Sequence, residues 1–268
     1  YMRKGDLSTS EQQFLKRDTF FGNEKTPLGY VMGVMNMILH GIDSPNVYKQ
    51  NTLTENIRDI QEKERHNVIL ANPPFGGKEK SQVQQNFPIQ SKATEILFMQ
   101  HFMKMLKLDG KAAIVVPEGI MFNSENAFKQ VKQELLENFN VHTILSLPAG
   151  VFLPYSNVKT NIIYFDRKGA TSDIWYYKLV TSYKLTKNKK IKYEHFKEFL
   201  ELYVSKKESD NSWLVKVEDI KEYDISAKNP NAEQEEKLLP PKEILQAIRT
   251  NDKELGELIN DIESLLNE

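Results

Sequence analysis

Cysteine is absent from the 268 residues, which excludes disulfides, thiolate metal sites and cysteine nucleophiles. That absence fits a reducing compartment, and a cytoplasmic location is the expectation. No apolar run approaches the ~18 residues needed to cross a bilayer, so no membrane span is expected. The opening Tyr1-Met2-Arg3-Lys4-Gly5-Asp6 is not a signal peptide and reads as the continuation of an earlier segment. Surplus charge is missing too: 36 Lys and Arg stand against 37 Asp and Glu, a net charge of −1. Bulk charge therefore cannot hold nucleic acid, and any such binding needs a local patch or a partner subunit. Internal repeats and low-complexity segments are also lacking. What is there is ordinary: 40% hydrophobic and 27% charged residues, too apolar for a disordered chain. The length suits one large domain or two small ones.

The first two-thirds alternates strand and helix signals. Asp18 to Gly22 is β-prone, and Thr26-Pro27 reads as an N-cap with proline in the first helical turn. Apolar residues continue to Leu39, and Gly41 suits a helix stop. Asn67 to Ala71 reads as a strand covered on both faces. A helix is expected over Ala93 to Leu108, ended by Asp109-Gly110, with a strand over Ala112 to Val116. A helix over Ala127 to Phe139 and strands over Val141 to Leu147 and Thr160 to Phe165 complete the pattern. This order predicts a mainly parallel α/β sheet with helices on both sides.

From about Thr171 the character changes, and residues 171–268 are expected to extend a catalytic domain spanning 1–170. Residues 178–197 hold seven lysines and one glutamate, a local charge of +6. That segment reads as a solvated hairpin, with phosphate contact as the second reading. Residues 231–268 hold ten acids and four bases, a local charge of −6. There Ile244, Ile248, Leu255, Ile259, Ile262 and Leu266 recur at helical spacing, a narrow stripe suited to packing on another helix.

Asn72-Pro73-Pro74-Phe75 follows directly on the strand ending at Ala71, where open α/β sheets bind ligands. The residue types suit alkylation of a planar amino nitrogen. An exocyclic adenine amine is a poor nucleophile because its lone pair is delocalised into the ring. A carboxamide oxygen and a backbone carbonyl can each accept one N–H, holding the nitrogen nearer to tetrahedral with its lone pair aimed at a methyl donor. Pro74 biases Pro73 towards an extended conformation and fixes where its carbonyl points. Phe75 offers a face on which a flipped base can stack. The competing reading is a proline-rich turn after a strand.

Leu70-Ala71-Asn72-Pro73-Pro74-Phe75-Gly76 resembles the catalytic motif of amino-group DNA methyltransferases, specifically the modification (M) subunit of type I restriction-modification systems. The likeness extends to Phe21-Gly22-Asn23-Glu24, Met35 to Gly41, Val116 to Phe122, Leu147 to Phe152, Val158 to Asn161, Trp213 and Asn229-Pro230, in collinear order. It implies a Rossmann-like methyltransferase sheet, N6-methylation of adenine in DNA, and S-adenosylmethionine as donor. By position, Asn72 and Pro73 accept the amine hydrogens, Pro74 shapes the loop, Phe75 stacks on the flipped adenine and Phe152 supports it from a later loop. Glu24 holds the donor's ribose hydroxyls and Asn51 contacts its adenine. His40 reads as a cap on its helix and Asn36 as structural. The implied partners are DNA, a specificity subunit and a second M subunit reached through the C-terminal region, and a restriction subunit.

The sequence departs from that family's pattern at Asn51 and Asn67, where acids are usual. It also contains no Gly-x-Gly, whereas the family binds the methionine end of the donor with a Gly-rich loop after its first strand. The chain therefore reads as the part downstream of that strand. Loss of a central strand would leave two neighbours unpaired, so weak donor binding and melting below ~60 °C are expected of the chain alone. Two further readings stand beside the enzyme: a non-catalytic scaffold docking a DNA-reading subunit, and a methyltransferase acting on another planar nitrogen such as a glutamine amide.

Overall fold

Apolar β-branched and aromatic runs set the strands, and proline, glycine and short polar residues mark most of the breaks between them. The computed structural model describes residues 7–231 and the helical residues 245, 246, 248–253, 255, 256, 258 and 259. In chain order α1 (Thr9–Arg17) precedes β1 (Phe21–Glu24), α2 (Pro27–Leu39) and β2 (Asn46–Lys49). Then come β3 (His66–Ala71), α3 (Ser81–Gln84), α4 (Thr94–Met105), β4 (Leu106–Pro117), α5 (Glu118–Phe122) and α6 (Asn126–Asn138). β5 (Asn140–Ser146), β6 (Thr160–Asp166), β7 (Asp173–Lys178), α7 (Lys197–Ser205) and β8 (Ser212–Lys216) follow.

The strands form two sheets. β1 and β2 make a parallel pair, and the larger sheet has the order β3-β4-β6-β5-β7-β8. In it β3, β4, β5 and β7 run one way and β6 and β8 the other. The sheet is therefore mixed rather than mainly parallel. The physical reason is β6, which returns between β4 and β5 without a crossover helix, as an antiparallel neighbour can. β1 and β3 each have an edge with no hydrogen-bonded strand among the described residues. Their first residues touch only through side chains, with the Phe21 and His66 rings 5.3 Å apart. β7 and β8, from the stretch read as an extension, join the same sheet as β3 to β6.

The helix signal at Thr26-Pro27 is realised in α2. Thr26 Oγ1 accepts the Gly29 N–H at 3.2 Å, Pro27 opens the helix, and Gly41 follows it at φ +85. His40 is the C-cap, its Nδ1 2.7 Å from the Asn36 carbonyl. Two expectations need correction. β3 is not covered on both faces: Ile69 is buried, but Val68 and Leu70 are 60% and 79% exposed. α4 packs against the Ile69 side of this edge strand and no described helix covers the other. The helix expected to reach Leu108 stops at Met105, and β4 begins at once. Leu106 is fully buried and pairs with His66, so the chain is already in the sheet there. Asp109, at φ +58, and Gly110 then make a bulge, and pairing with β3 resumes at Lys111. Arg167 fastens the bulge by donating its N–H to the Gly110 carbonyl and its guanidinium to the Leu106 carbonyl.

Both faces of the larger sheet carry core. On one, α4 and α6 bring Ile96, Met99, Met103, Val131 and Leu135 onto Ile114, Ile144, Ile163 and Phe165. On the other, α7 lays Phe199 over Trp175, Tyr177 and Leu145. A smaller cluster of Leu53, Ile57, Ile60, Phe87 and Leu97 joins the segment after β2 to α4. Trp213 of β8 stacks on Tyr176, with ring centroids 5.4 Å apart. Of the C-terminal stripe, Ile248, Leu255 and Ile259 are helical and exposed, while Ile244, Ile262 and Leu266 lie outside the described residues.

Candidate active site

Because β3, β4, β5 and β7 share a direction, the loops that leave their carboxyl ends gather along one edge of the sheet. Asn72 to Phe75 leaves β3 there, with Pro73 buried and Asn72 exposed. Neither the Asn72 side chain nor the Pro73 carbonyl makes a hydrogen bond within the described residues. Both acceptors are thus available to an N–H donor.

The loop after β5 brings Phe152 to the same place. The Phe75 and Phe152 rings meet edge to face, with centroids 5.5 Å apart and planes at 80°. The Phe152 loop is held by its own turns: Leu153 N–H donates to the Gly150 carbonyl, and Tyr155 and Ser156 N–H groups donate to the Phe152 carbonyl. Gly150 sits at φ +87, and a Cβ built on it would come within 3.1 Å of Leu153 Cδ1 and 3.3 Å of the Leu185 carbonyl, so a side chain there would be strained.

Residues 76–79 are fastened to the start of α4. Gly76, at φ +70, donates its N–H to the Glu95 carboxylate at 2.5 Å. Thr94 N–H donates to the Gly77 carbonyl, and Glu79 N–H to that of Lys92. A Cβ on Gly77 would come within 2.7 Å of Thr94 Oγ1, so only glycine permits this approach. Glu95 and Pro73 line one shallow apolar depression with Phe98, Phe102, Val116 and Ile120. Beside it Glu118, at the end of β4, forms an ion pair with Lys159, which leads into β6. Sequence reasoning missed Glu95, since an acid in the first turn of an apolar helix reads as a dipole partner. The signal was the Gly76-Gly77 pair, which needs something close to approach.

Glu24 and Asn51 lie together at the carboxyl end of the small sheet. Glu24 pairs in register with Lys49, two residues before Asn51. Glu24 Oε1 accepts both the N–H and the hydroxyl of Thr26 at 2.7 Å, and these bonds hold its carboxyl below the usual range. Asn51 Oδ1 accepts the Leu53 N–H, and its amide N–H groups have no hydrogen-bond partner among the described residues. Asn23, the neighbour of Glu24, donates to Thr52 Oγ1, tying the two strand ends together. The structure thus groups the predicted residues in two clusters: Asn72, Pro73, Pro74, Phe75 and Phe152 at one strand end, Glu24 and Asn51 at another.

The N-6 DNA methylase family matches residues 5–238 of this chain. The chain belongs to that family. Among curated relatives, the methylase subunit of the type I restriction enzyme EcoEI of Escherichia coli is 32% identical over 99% of the chain and 56% of its own length. A solved chain of a type I restriction-modification complex superposes with a TM-score of 0.82 at 42% identity, covering 99% of this chain and 58% of that one. A modification subunit of a putative type I enzyme from Vibrio vulnificus superposes at 0.80 with 34% identity, over 86% and 52% of the two chains. The chain spans little more than half the length of these relatives. The collinear likeness of its motifs is a family likeness along nearly the whole chain.

Proposed function

We propose that this chain supplies the catalytic loop and part of the donor site of a type I modification methyltransferase that methylates N6 of adenine in DNA. The observation that carries the reading is the placement of Asn72, Pro73 and Phe75 at the end of β3, with Phe152 brought edge to face against Phe75. A flipped adenine placed on Phe75 has its amine within reach of two free acceptors. Asn72 Oδ1 accepts one N6 hydrogen and the Pro73 carbonyl the other, which localises the nitrogen lone pair. The buried Pro73 and the Glu95–Gly76 bond fix the loop before the base arrives, so little reorganisation is left for the reacting state.

S-adenosylmethionine fits the second cluster. An ionised carboxylate at Glu24 suits a ribose diol, and the Asn51 amide suits an adenine edge. When bound, the donor supplies a sulfonium methyl group: the N6–C bond forms, the S–C bond breaks to leave a neutral thioether, and N6 releases one proton to water. The chain's own part is to hold, orient and stack.

The test is tritiated methyl transfer to duplex DNA by the complete protein that carries this chain, assembled with its partner subunits. Asn72→Ala is expected to lower kcat by about 10²–10³, the usual effect of losing one preorganised hydrogen-bonding group, with donor affinity unchanged. Full activity in that variant, or label found on cytosine or on protein, overturns the reading. For partners we propose that the exposed helical residues Leu245, Ile248, Leu255, Leu258 and Ile259 dock on another subunit of the assembly. Deleting residues 242–268 should then weaken assembly, measured by light scattering, while donor affinity stays the same; unchanged assembly removes this helix from the interface.

A further inference from the structure

We infer that the lysine-rich segment between β7 and α7 is a contact surface for the phosphate backbone of the DNA that flanks the target adenine. The inference rests on the DNA methyltransferase reading and adds where the duplex lies. β7 ends on the same edge of the sheet as β3 and β5, so the segment that follows it emerges beside the Phe75 and Phe152 loops. The two segments touch directly: Leu185 is buried, and its carbonyl and Cβ lie 3.3 and 3.4 Å from the space above Gly150, two residues before Phe152.

The segment is held in shape. Thr186 N–H donates to the Lys189 carbonyl, Lys189 N–H donates to Thr186 Oγ1, and the Tyr183 hydroxyl donates to the Lys190 carbonyl. Ile191 packs on the Trp175 and Phe199 side of the core. Lys184, Lys187, Lys189, Lys190 and Lys192 nevertheless all have exposed side chains. None of the five pairs with a carboxylate within 4.0 Å among the described residues. A net charge near zero makes this concentration informative, because the rest of the chain offsets its positive charge with acids.

The spacing also fits a duplex. β7 stands four strands from β3, about 19 Å at ~4.8 Å per strand. That distance corresponds to roughly five or six phosphates along one strand at ~3.4 Å each. A base flipped onto Phe75 would thus leave the neighbouring backbone running towards the lysines.

The experiment measures DNA affinity by fluorescence anisotropy between 50 and 200 mM salt, without donor, on the complete protein in its assembly. Each lysine that no longer neutralises a phosphate lowers the salt slope by ~0.9. Changing all five lysines to Gln should lower it by up to ~4.5, so that about 500-fold of the salt-dependent loss of affinity disappears over this range. Lys187→Gln with Lys190→Gln should lower the slope by about 2, and guards against misfolding of the fivefold variant. Arginine at the same five positions should preserve it. Lys111→Gln, Lys168→Gln and Lys216→Gln together, at the opposite edge, should leave it unchanged. A fivefold variant with the wild-type slope, or an equal fall in the opposite-edge variant, overturns the inference. Methyl transfer measured on the same samples separates the two readings. Transfer to adenine with no change of slope removes only this surface. A reduced slope without transfer to adenine removes the methylation reading and leaves the surface.

Discussion

α2 and α4 are both apolar helices of similar length, yet α2 buries none of its 13 residues and α4 buries seven of 12. The difference is what lies beneath them. α4 rests beside α6 on one face of a six-stranded sheet, whereas α2 rests on a pair of four-residue strands. Two strands offer too little surface to cover a helix, so apolarity alone does not make a core. Met32, Met35 and Leu39 stay exposed on α2, and Val68 and Leu70 stay exposed on the edge strand nearest to the small sheet. Stability therefore resides in the larger sheet, while the small one carries Glu24 and Asn51.

The largest effect is expected in the larger sheet. Trp175 is fully buried, donates its indole N–H to the Lys207 carbonyl and stacks on Phe199. Trp175→Ala should cost about 3–5 kcal/mol in urea unfolding. A loss below about 1 kcal/mol would mean that the core described for this sheet is not where cooperativity lies.

Acid should act on the same body. Burial, and then the charge of His66, hold the imidazole of His101 down to about 4. Burial, with the Lys206 charge next, does the same to His142. The unfolded chain takes up these protons first, so stability is intact above about pH 6.5 and falls as pH drops from there towards 4. His101 alone accounts for about 3 kcal/mol of that fall. His101→Leu should make the melting temperature less sensitive to pH between 6.5 and 4; an unchanged slope rejects His101 as a source.

The smallest effect belongs to the small sheet. Thr26→Ala removes the α2 cap and one partner of Glu24, at about 1 kcal/mol. Because α2 lies outside the main core, the loss should appear as faster amide exchange in α2 with an unchanged global melt. A lowered global melt would show that the two bodies unfold together.

Local signals were legible in the sequence. The α2 cap, the proline at its start and the strands at β5 and β6 fall within a residue or two of their expected places. What failed was anything that depended on neighbours. Nothing in Val68 and Leu70 says that one face of β3 is bare, and the continuous run read as doubly covered. Asp109-Gly110 looked like a helix stop because a bulge and a helix end use the same residues. Asn72 to Phe75 could be found by residue chemistry, but Phe152 entered only through a family likeness, since 77 residues separate it from Phe75. Glu95 was invisible because its role depends on where Gly76 arrives.

The directions of the strands give the molecule one rim that carries the Phe75 and Phe152 loops and another opposite to it. Gly169, in the turn between β6 and β7, sits on the rim opposite Phe75 with exposed neighbours at Lys168 and Ala170. β6 itself is seven residues long, so about 20 Å of sheet separates that turn from the Phe75 rim. A dye or affinity handle grafted at 168–170 would sit about a strand's length away from Phe75 and Phe152 and from the surface proposed for DNA.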